Sequence, residues 1–220
     1  LAGGYDNDGD IRNLPDFSNQ INPVHVGHLR VAEEVREALD LEKVVFVPSS
    51  IPPHKELDDD VEGARRLEIV RMSIGDNPFF EVSSYEVDRP GNSYSIRTIE
   101  HFRGVFGTIP VFILGQDAFN EISTWYQAER LFDLAHFAVM SRPDVPRPSL
   151  GDVLGGAAGR FRPTDRGYVN DAGNEIMFVD VTAYAVSSSR IRELCRHGGS
   201  IRYLVTDSAC AYITKERIYV

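Results

Sequence analysis

Pro110-Val-Phe-Ile-Leu-Gly115, continuing into Gln116-Asp117, is the stretch whose reading decides the fold. Four consecutive apolar residues between a proline and a glycine read as a short strand buried on both faces, as the inner strands of a parallel sheet must be. Outward from it, Tyr94 to Phe106 carries helical spacing, Asp117 to Phe132 reads as a helix, and Phe137-Ala-Val-Met-Ser-Arg142 as the next strand. Further upstream come a strand over Phe79–Val87, helical spacing through Leu67, Val70, Arg71 and Ile74, and a strand at Lys43-Val-Val-Phe-Val-Pro48. Before that strand, Leu29, Val31, Ala32, Val35, Ala38 and Leu39 recur at the spacing of one helix face. Downstream lie a strand at Glu175-Ile-Met-Phe-Val-Asp180 and helices around Ser188–His197 and Asp207–Glu216. Strands alternating with helices across short loops predict an α/β fold with a mainly parallel sheet.

Two regions depart from this rhythm. From 143 to 175 proline and glycine are frequent, and periodicity is lost through Gly151–Gly159, which predicts a surface excursion. Within it, Asn170-Asp-Ala-Gly173 reads as the turn of a hairpin over 168–178. The first twenty residues are polar and acidic, with no four-residue apolar run before Asn22. A single domain over 1–220 is the expectation for this length.

With 42% hydrophobic and 25% charged residues, the composition is that of an ordinary globular domain. A formal net charge of −10 argues against a general nucleic-acid binder, which shows a basic face, yet permits a small anionic ligand held by a few local cations. No apolar run approaches the length of a membrane span, and no signal peptide is read. Cys195 and Cys210 lack metal-like spacing and read as reduced thiols of a cytoplasmic protein.

The chemistry concentrates at His25-Val-Gly-His28, just after Asn22-Pro23 and at the start of the first helical pattern. Helix N-termini carry unpaired N–H groups and partial positive charge, so they receive phosphate. Two imidazoles there can hold a polyphosphate while its charge redistributes, and the intervening glycine allows close approach. A capping role for the pair, or a metal pair lacking an obvious third ligand, are the competing readings. Asp117, beyond the carboxyl end of the clearest strand, suits a ribose hydroxyl, a metal or a helix cap. Ser187-Ser-Ser-Arg-Ile-Arg192 follows a strand and opens a helix, suiting either phosphate binding or plain capping. His54 and Lys55 stand in a proline-stiffened loop, Ser49-Ser-Ile-Pro-Pro-His-Lys55, while Trp125 and Tyr126 read as an aromatic pair on a helix. Arg142 ends a strand, and His101, His136 and His197 read as structural.

Asn22-Pro-Val-His-Val-Gly-His28 resembles the HxGH signature of the nucleotidyltransferase superfamily, and Ser187-Ser-Ser-Arg-Ile-Arg192 its late Ser-Ser-Thr-x-Ile-Arg signature. The narrower resemblance is to the bacterial nicotinate-nucleotide adenylyltransferases. It is carried in order by Ile51-Pro-Pro-His-Lys55, Arg89-Pro-Gly-Asn-Ser-Tyr94-Ser95, Ile113-Leu-Gly-Gln-Asp117-Ala-Phe, Thr124-Trp-Tyr126, Ser141-Arg-Pro143 and Ile201-Arg-Tyr-Leu204. The resemblance implies a Rossmann-like, doubly wound sheet with helices on both faces and a small C-terminal helical part. It also implies transfer of the adenylyl group of ATP to nicotinate mononucleotide, with Mg2+ accompanying ATP and no metal site of the protein's own.

By the same resemblance, His25 and His28 contact the ATP phosphates, and Ser188, Ser189 and Arg192 hold the triphosphate from the other side. Gly115 and Asp117 face the nucleotide, and Arg142 lines the adenosine pocket. Trp125 stacks on the pyridine ring, Ser95 and Tyr126 help to read its nicotinate end, and His54 and Lys55 approach the mononucleotide phosphate. The partners are these two small molecules, with neither nucleic acid nor membrane, and a homo-oligomer is compatible. Ser18-Asn-Gln-Ile21 stands where the family has Gly-Gly-Thr-Phe, so the first phosphate loop and the strand before it depart from the pattern. The alternatives are the same reaction on nicotinamide mononucleotide, or a nucleotide-binding member with weakened catalysis. The short acidic chain and the lack of a Lys-Met-Ser-Lys-Ser-like motif argue against a tRNA-charging relative.

Overall fold

Val111–Gly115 is an inner strand of a sheet in the computed structural model, which describes residues 12–15, 21–50, 61–75, 77–141 and 145–220. The described strands are β1 (Arg12–Pro15), β2 (Lys43–Phe46), β3 (Phe80–Val82), β4 (Val111–Gly115), β5 (His136–Ser141), β6 (Phe161–Thr164), β7 (Gly167–Asn170) and β8 (Glu175–Asp180). Their order across the sheet is β3-β2-β1-β4-β5-β8-β7-β6. The six strands from β3 to β8 run parallel, and β7 and β6 are added antiparallel at one edge.

Side-chain alternation along β4 divides the core. Phe112 and Leu114 join Phe137, Val139 and Phe178 on one face, while Val111 and Ile113 join Ala138 and Val179 on the other. The first face is covered by α3 (Ser95–Phe106), α4 (Gln116–Asn120), α5 (Ala128–Leu134) and α6 (Leu150–Leu154). The second is covered by α1 (Val26–Leu39), α2 (Gly63–Ile74), α7 (Ser188–Arg196) and α8 (Asp207–Lys215). Helices on both faces of a mainly parallel sheet make the fold doubly wound, and β1 and β4 flank the point where strand order reverses. No helix among the described residues is long and apolar enough to cross a membrane.

Four local expectations are corrected. Arg12-Asn-Leu-Pro15, without an apolar run, is the central strand, paired to both β2 and β4. The helix expected over Asp117–Phe132 is broken into α4, a 3-10 turn at Ile122–Thr124, and α5. There the Thr124 hydroxyl donates to Glu121 O at 2.7 Å, offering the chain an alternative to helix, and Gln127 takes a left-handed conformation. The strand expected through Val87 stops at Val82, because Ser83 Oγ accepts from Tyr85 N–H and a turn follows. The stretch 151–159 is regular after all: Ser149 caps α6 through Asp152 N–H at 3.1 Å, Leu150 and Val153 are buried, and a 3-10 turn follows. The expected hairpin turn at Asn170–Gly173 is present between β7 and β8.

Candidate active site

His25 is the N-cap of α1, with extended backbone at φ −140° and ψ 170°. Its Nδ1 accepts from His28 N–H at 3.3 Å, and His28 Nδ1 accepts from His25 N–H at 3.3 Å. This is a capping box made of two imidazoles, and it stacks the rings 3.7 Å apart at 13°. The capping reading and the phosphate reading are therefore compatible. Because both Nδ1 atoms accept, the neutral rings carry their protons on Nε2.

Only 7% of His25 and 6% of His28 are exposed. Burial pushes His25 down to about 4 from its ordinary 6.5 and holds His28 well below that value, with the neighbouring His25 adding to the second shift. Near neutral pH the motif thus presents uncharged Nε2–H donors. The glycine between them sits in a tight space: a Cβ on Gly27 would lie 3.0 Å from Val186 Cγ1 and 3.1 Å from His25 Nδ1. Val26 N–H, the first of α1, donates to Leu204 O at 3.0 Å, which gives Ile201-Arg-Tyr-Leu204 its structural role.

The two signatures form one hydrogen-bonded unit. Ser187 caps α7 by accepting from Arg190 N–H at 3.2 Å. Ser188 Oγ donates to Pro23 O at 2.8 Å, and Arg192 Nη1 donates to Asn22 O at 2.8 Å while Nη2 donates to Ser189 Oγ at 3.3 Å. Val186 meanwhile packs beside Gly27. His25, His28, Ser188, Ser189 and Arg192 are therefore brought together, whereas Arg190 faces outward and pairs with Glu193.

At the carboxyl end of β4, Gly115 takes the N-cap of α4, so the capping alternative for Asp117 falls away. Asp117 lies exposed in the first turn of that helix. Gln116 beside it is buried, its Nε2 donating to Pro146 O at 2.7 Å. Ser95 begins α3, and the preceding Tyr94 ring lies 4.8 Å from Tyr126, so these two predicted positions share one neighbourhood. Trp125 and Tyr126 sit in a turn and not on a helix; Trp125 is half-buried with its edge towards Phe112 at 6.2 Å, and Tyr126 is exposed. His54, Lys55 and Arg142 lie outside the described residues.

Sequence reasoning misses Arg66, which is 2% exposed. Its guanidinium donates to Ser49 Oγ at 3.4 Å, Ser50 O at 2.9 Å and Val61 O at 3.2 Å, tying both flanks of segment 51–60. The available signal is a charge in phase with the buried Ile69, Val70 and Ser73 stripe of α2. Beside segment 142–144, Ser141 Oγ donates to Asp180 at 2.7 Å and Arg147 pairs with the same carboxyl, which together hold it below the usual carboxylate range. Among the described residues no three His, Cys, Asp or Glu side chains gather as metal ligands. One exposed carboxylate such as Asp117 suits an ion that arrives on phosphates and keeps most of its waters.

Residues 20–194 match the cytidylyltransferase-like family. A protein of Geotalea daltonii named "Probable nicotinate-nucleotide adenylyltransferase" is 41% identical, over 90% of this chain and 94% of its own. One of Citrifermentans bemidjiense with the same name is 40% identical over the same shares. Among solved structures, Plasmodium falciparum nicotinic acid mononucleotide adenylyltransferase complexed with NaAD superposes with a TM-score of 0.69 at 13% identity, over 96% of this chain and 97% of that one, a likeness of fold. On these matches the chain belongs to the cytidylyltransferase-like family and, within it, to the nicotinate-nucleotide adenylyltransferases.

Proposed function

We propose that the protein transfers the adenylyl group of ATP to nicotinate mononucleotide, forming nicotinate adenine dinucleotide and pyrophosphate. The observation that carries this reading is the stacked, mutually capped His25–His28 pair, whose lead-in Asn22-Pro23 is hydrogen-bonded to the start of α7. A 5′-phosphate oxygen of the mononucleotide attacks the α-phosphorus of ATP. The bond from that phosphorus to the bridging oxygen breaks, and the electron pair leaves with pyrophosphate.

No group of the protein needs to be consumed in this exchange, so its contribution is alignment and charge stabilisation. The Nε2–H donors of His25 and His28 suit the α- and β-phosphate oxygens, where charge grows as pyrophosphate departs. Burial keeps both rings neutral before ATP arrives. Ser188, Ser189 and Arg192 would hold the far side of the triphosphate, and Gly115, with Arg142, the adenosine. Mg2+ would enter on ATP and neutralise phosphate charge, and Asp117 would face the nucleotide. Ser95, Trp125 and Tyr126, drawn into one neighbourhood around Tyr94, suit the pyridine end, while His54 and Lys55 suit the mononucleotide phosphate. The free thiols Cys195 and Cys210 are consistent with a cytoplasmic setting.

The test is incubation with ATP, Mg2+ and either mononucleotide while dinucleotide and pyrophosphate are followed. The expected result is a higher kcat/KM with nicotinate mononucleotide. Turnover of the nicotinamide form alone would overturn the substrate assignment, and ATP binding with neither product would overturn the activity.

A further inference from the structure

Asn22 immediately precedes the Pro23-Val24-His25 approach to α1, and it is gripped at more than one atom. Its carbonyl accepts from Arg192, as described, and its side-chain Oδ1 accepts from the Tyr219 hydroxyl at 2.7 Å, across 197 residues of sequence. Tyr219 is 7% exposed and packs in one cluster with Ile21, Val24, Ile191, Ile213 and Ile218. Its backbone is left-handed at φ 68°, a conformation that costs a residue bearing a Cβ and persists only where the surroundings over-determine it. What repays that cost here is burial of the ring and the bond to Asn22.

We propose that Tyr219 is a positioning residue for adenylyl transfer. By fixing the Asn22 amide it sets how the chain enters α1, and hence where the His25 and His28 rings point. This rests on the function proposed above. Losing the hydroxyl would leave Oδ1 seeking another donor, and a shift of Asn22-Pro23 by a fraction of an ångström is enough to misalign phosphate groups.

The test is Tyr219→Phe, which keeps the ring and removes only the donor. The expected result is about a tenfold fall in kcat and a several-fold weaker ATP affinity by calorimetry, with KM for the mononucleotide unchanged. In an Asn22→Ala background the same substitution should lower kcat much less than it does in the wild type, since the bond to Asn22 is then already lost. A lowered unfolding temperature with kcat and ATP affinity unchanged would make Tyr219 structural only and overturn the proposal, as would additive effects in the double variant. Should the wild type bind ATP more tightly than Tyr219→Phe yet form no dinucleotide, the proposed activity would fall, and Tyr219 would position the histidine pair for ATP binding and not for adenylyl transfer. Failure of the wild type to bind ATP would overturn both.

Discussion

α1 follows β1 and α4 follows β4, the two strands between which strand order reverses, but the starts of these helices are built in opposite ways. At α1 the two histidine side chains are buried and cap their own helix, and Asn22 just before them is tied to α7 and to Tyr219. At β4 Asp117 stands exposed in a first turn capped by Gly115, and Tyr126 is likewise exposed. On the function proposed above, each of these histidines has two tasks at once, one in folding and one in chemistry, whereas Asp117 has only the second.

The largest effect should follow removal of a ring that does both. His28→Ala deletes an Nε2–H donor and the Nδ1 acceptor of the capping box. Turnover is expected to fall by about 10²–10³-fold, the usual loss when one main charge-stabilising donor is removed. Stability should fall as well, by about 1 kcal/mol for the cap alone. Single-turnover kinetics and thermal unfolding check the two parts. An activity loss of only a few-fold would break the comparison at its stronger side.

Stability against pH tests the same buried pair without any substrate. The folded-state value for His25, about 4, lies below its ordinary 6.5, so on acidification the unfolded chain takes up the proton first. Its contribution is fully present above pH 6.5 and is lost progressively down to about pH 4, about 3 kcal/mol over the whole window. His28, shifted in the same direction by burial and then by His25, adds to the loss. The denaturant midpoint of the wild type should therefore fall between pH 7 and pH 5 more steeply than that of His25→Asn, which keeps an acceptor at the N-cap but cannot titrate. Parallel slopes would mean the rings are hydrated in solution.

A smaller but more local effect is expected at Gly27→Ala. The added methyl would press on Val186 and on the His25 ring, which must give by a few tenths of an ångström and so disturb the stack. About a ten- to hundredfold loss of kcat is expected. Partial recovery by Val186→Ala would locate the cause in that contact, and kinetics of the double variant measure it.

How much of this was legible before the structure follows from range. The apolar run Val111–Leu114, the α1 stripe and both signatures are local patterns, and each lies where its spacing predicts. Arg12-Asn-Leu-Pro15 was illegible as the central strand because its place is set by neighbours, through the pairing of Asn13 with Val44 and Val111. The Thr124 hydroxyl and the left-handed Gln127 break a helix that periodicity alone would continue. The joining of Asn22 to Arg192 and Tyr219 has no sequence signature at all, since hydrogen bonds across 170 and 197 residues leave no periodic trace. Arg66 lies between these cases: its phase on α2 marks it as buried, but only folding reveals what its guanidinium holds.

The smallest expected effect sharpens the comparison from its weaker side. Asp117→Asn keeps size and shape while removing a charge from the first turn of α4. A carboxylate there favours the helix by only about 0.3–1 kcal/mol at an exposed position, so the unfolding midpoint should hardly move. If Asp117 faces the ATP-borne ion or a ribose hydroxyl, activity should nonetheless fall about tenfold, and more Mg2+ should be needed for half-maximal rate only in the first case. The ratio of lost activity to lost stability then becomes the discriminating quantity: high at Asp117, and lower at His28, where chemistry and capping share one ring. A midpoint that fell as far for Asp117→Asn as for His28→Ala would mean that α4 also depends on its functional side chain, and the division between the two helix starts would dissolve.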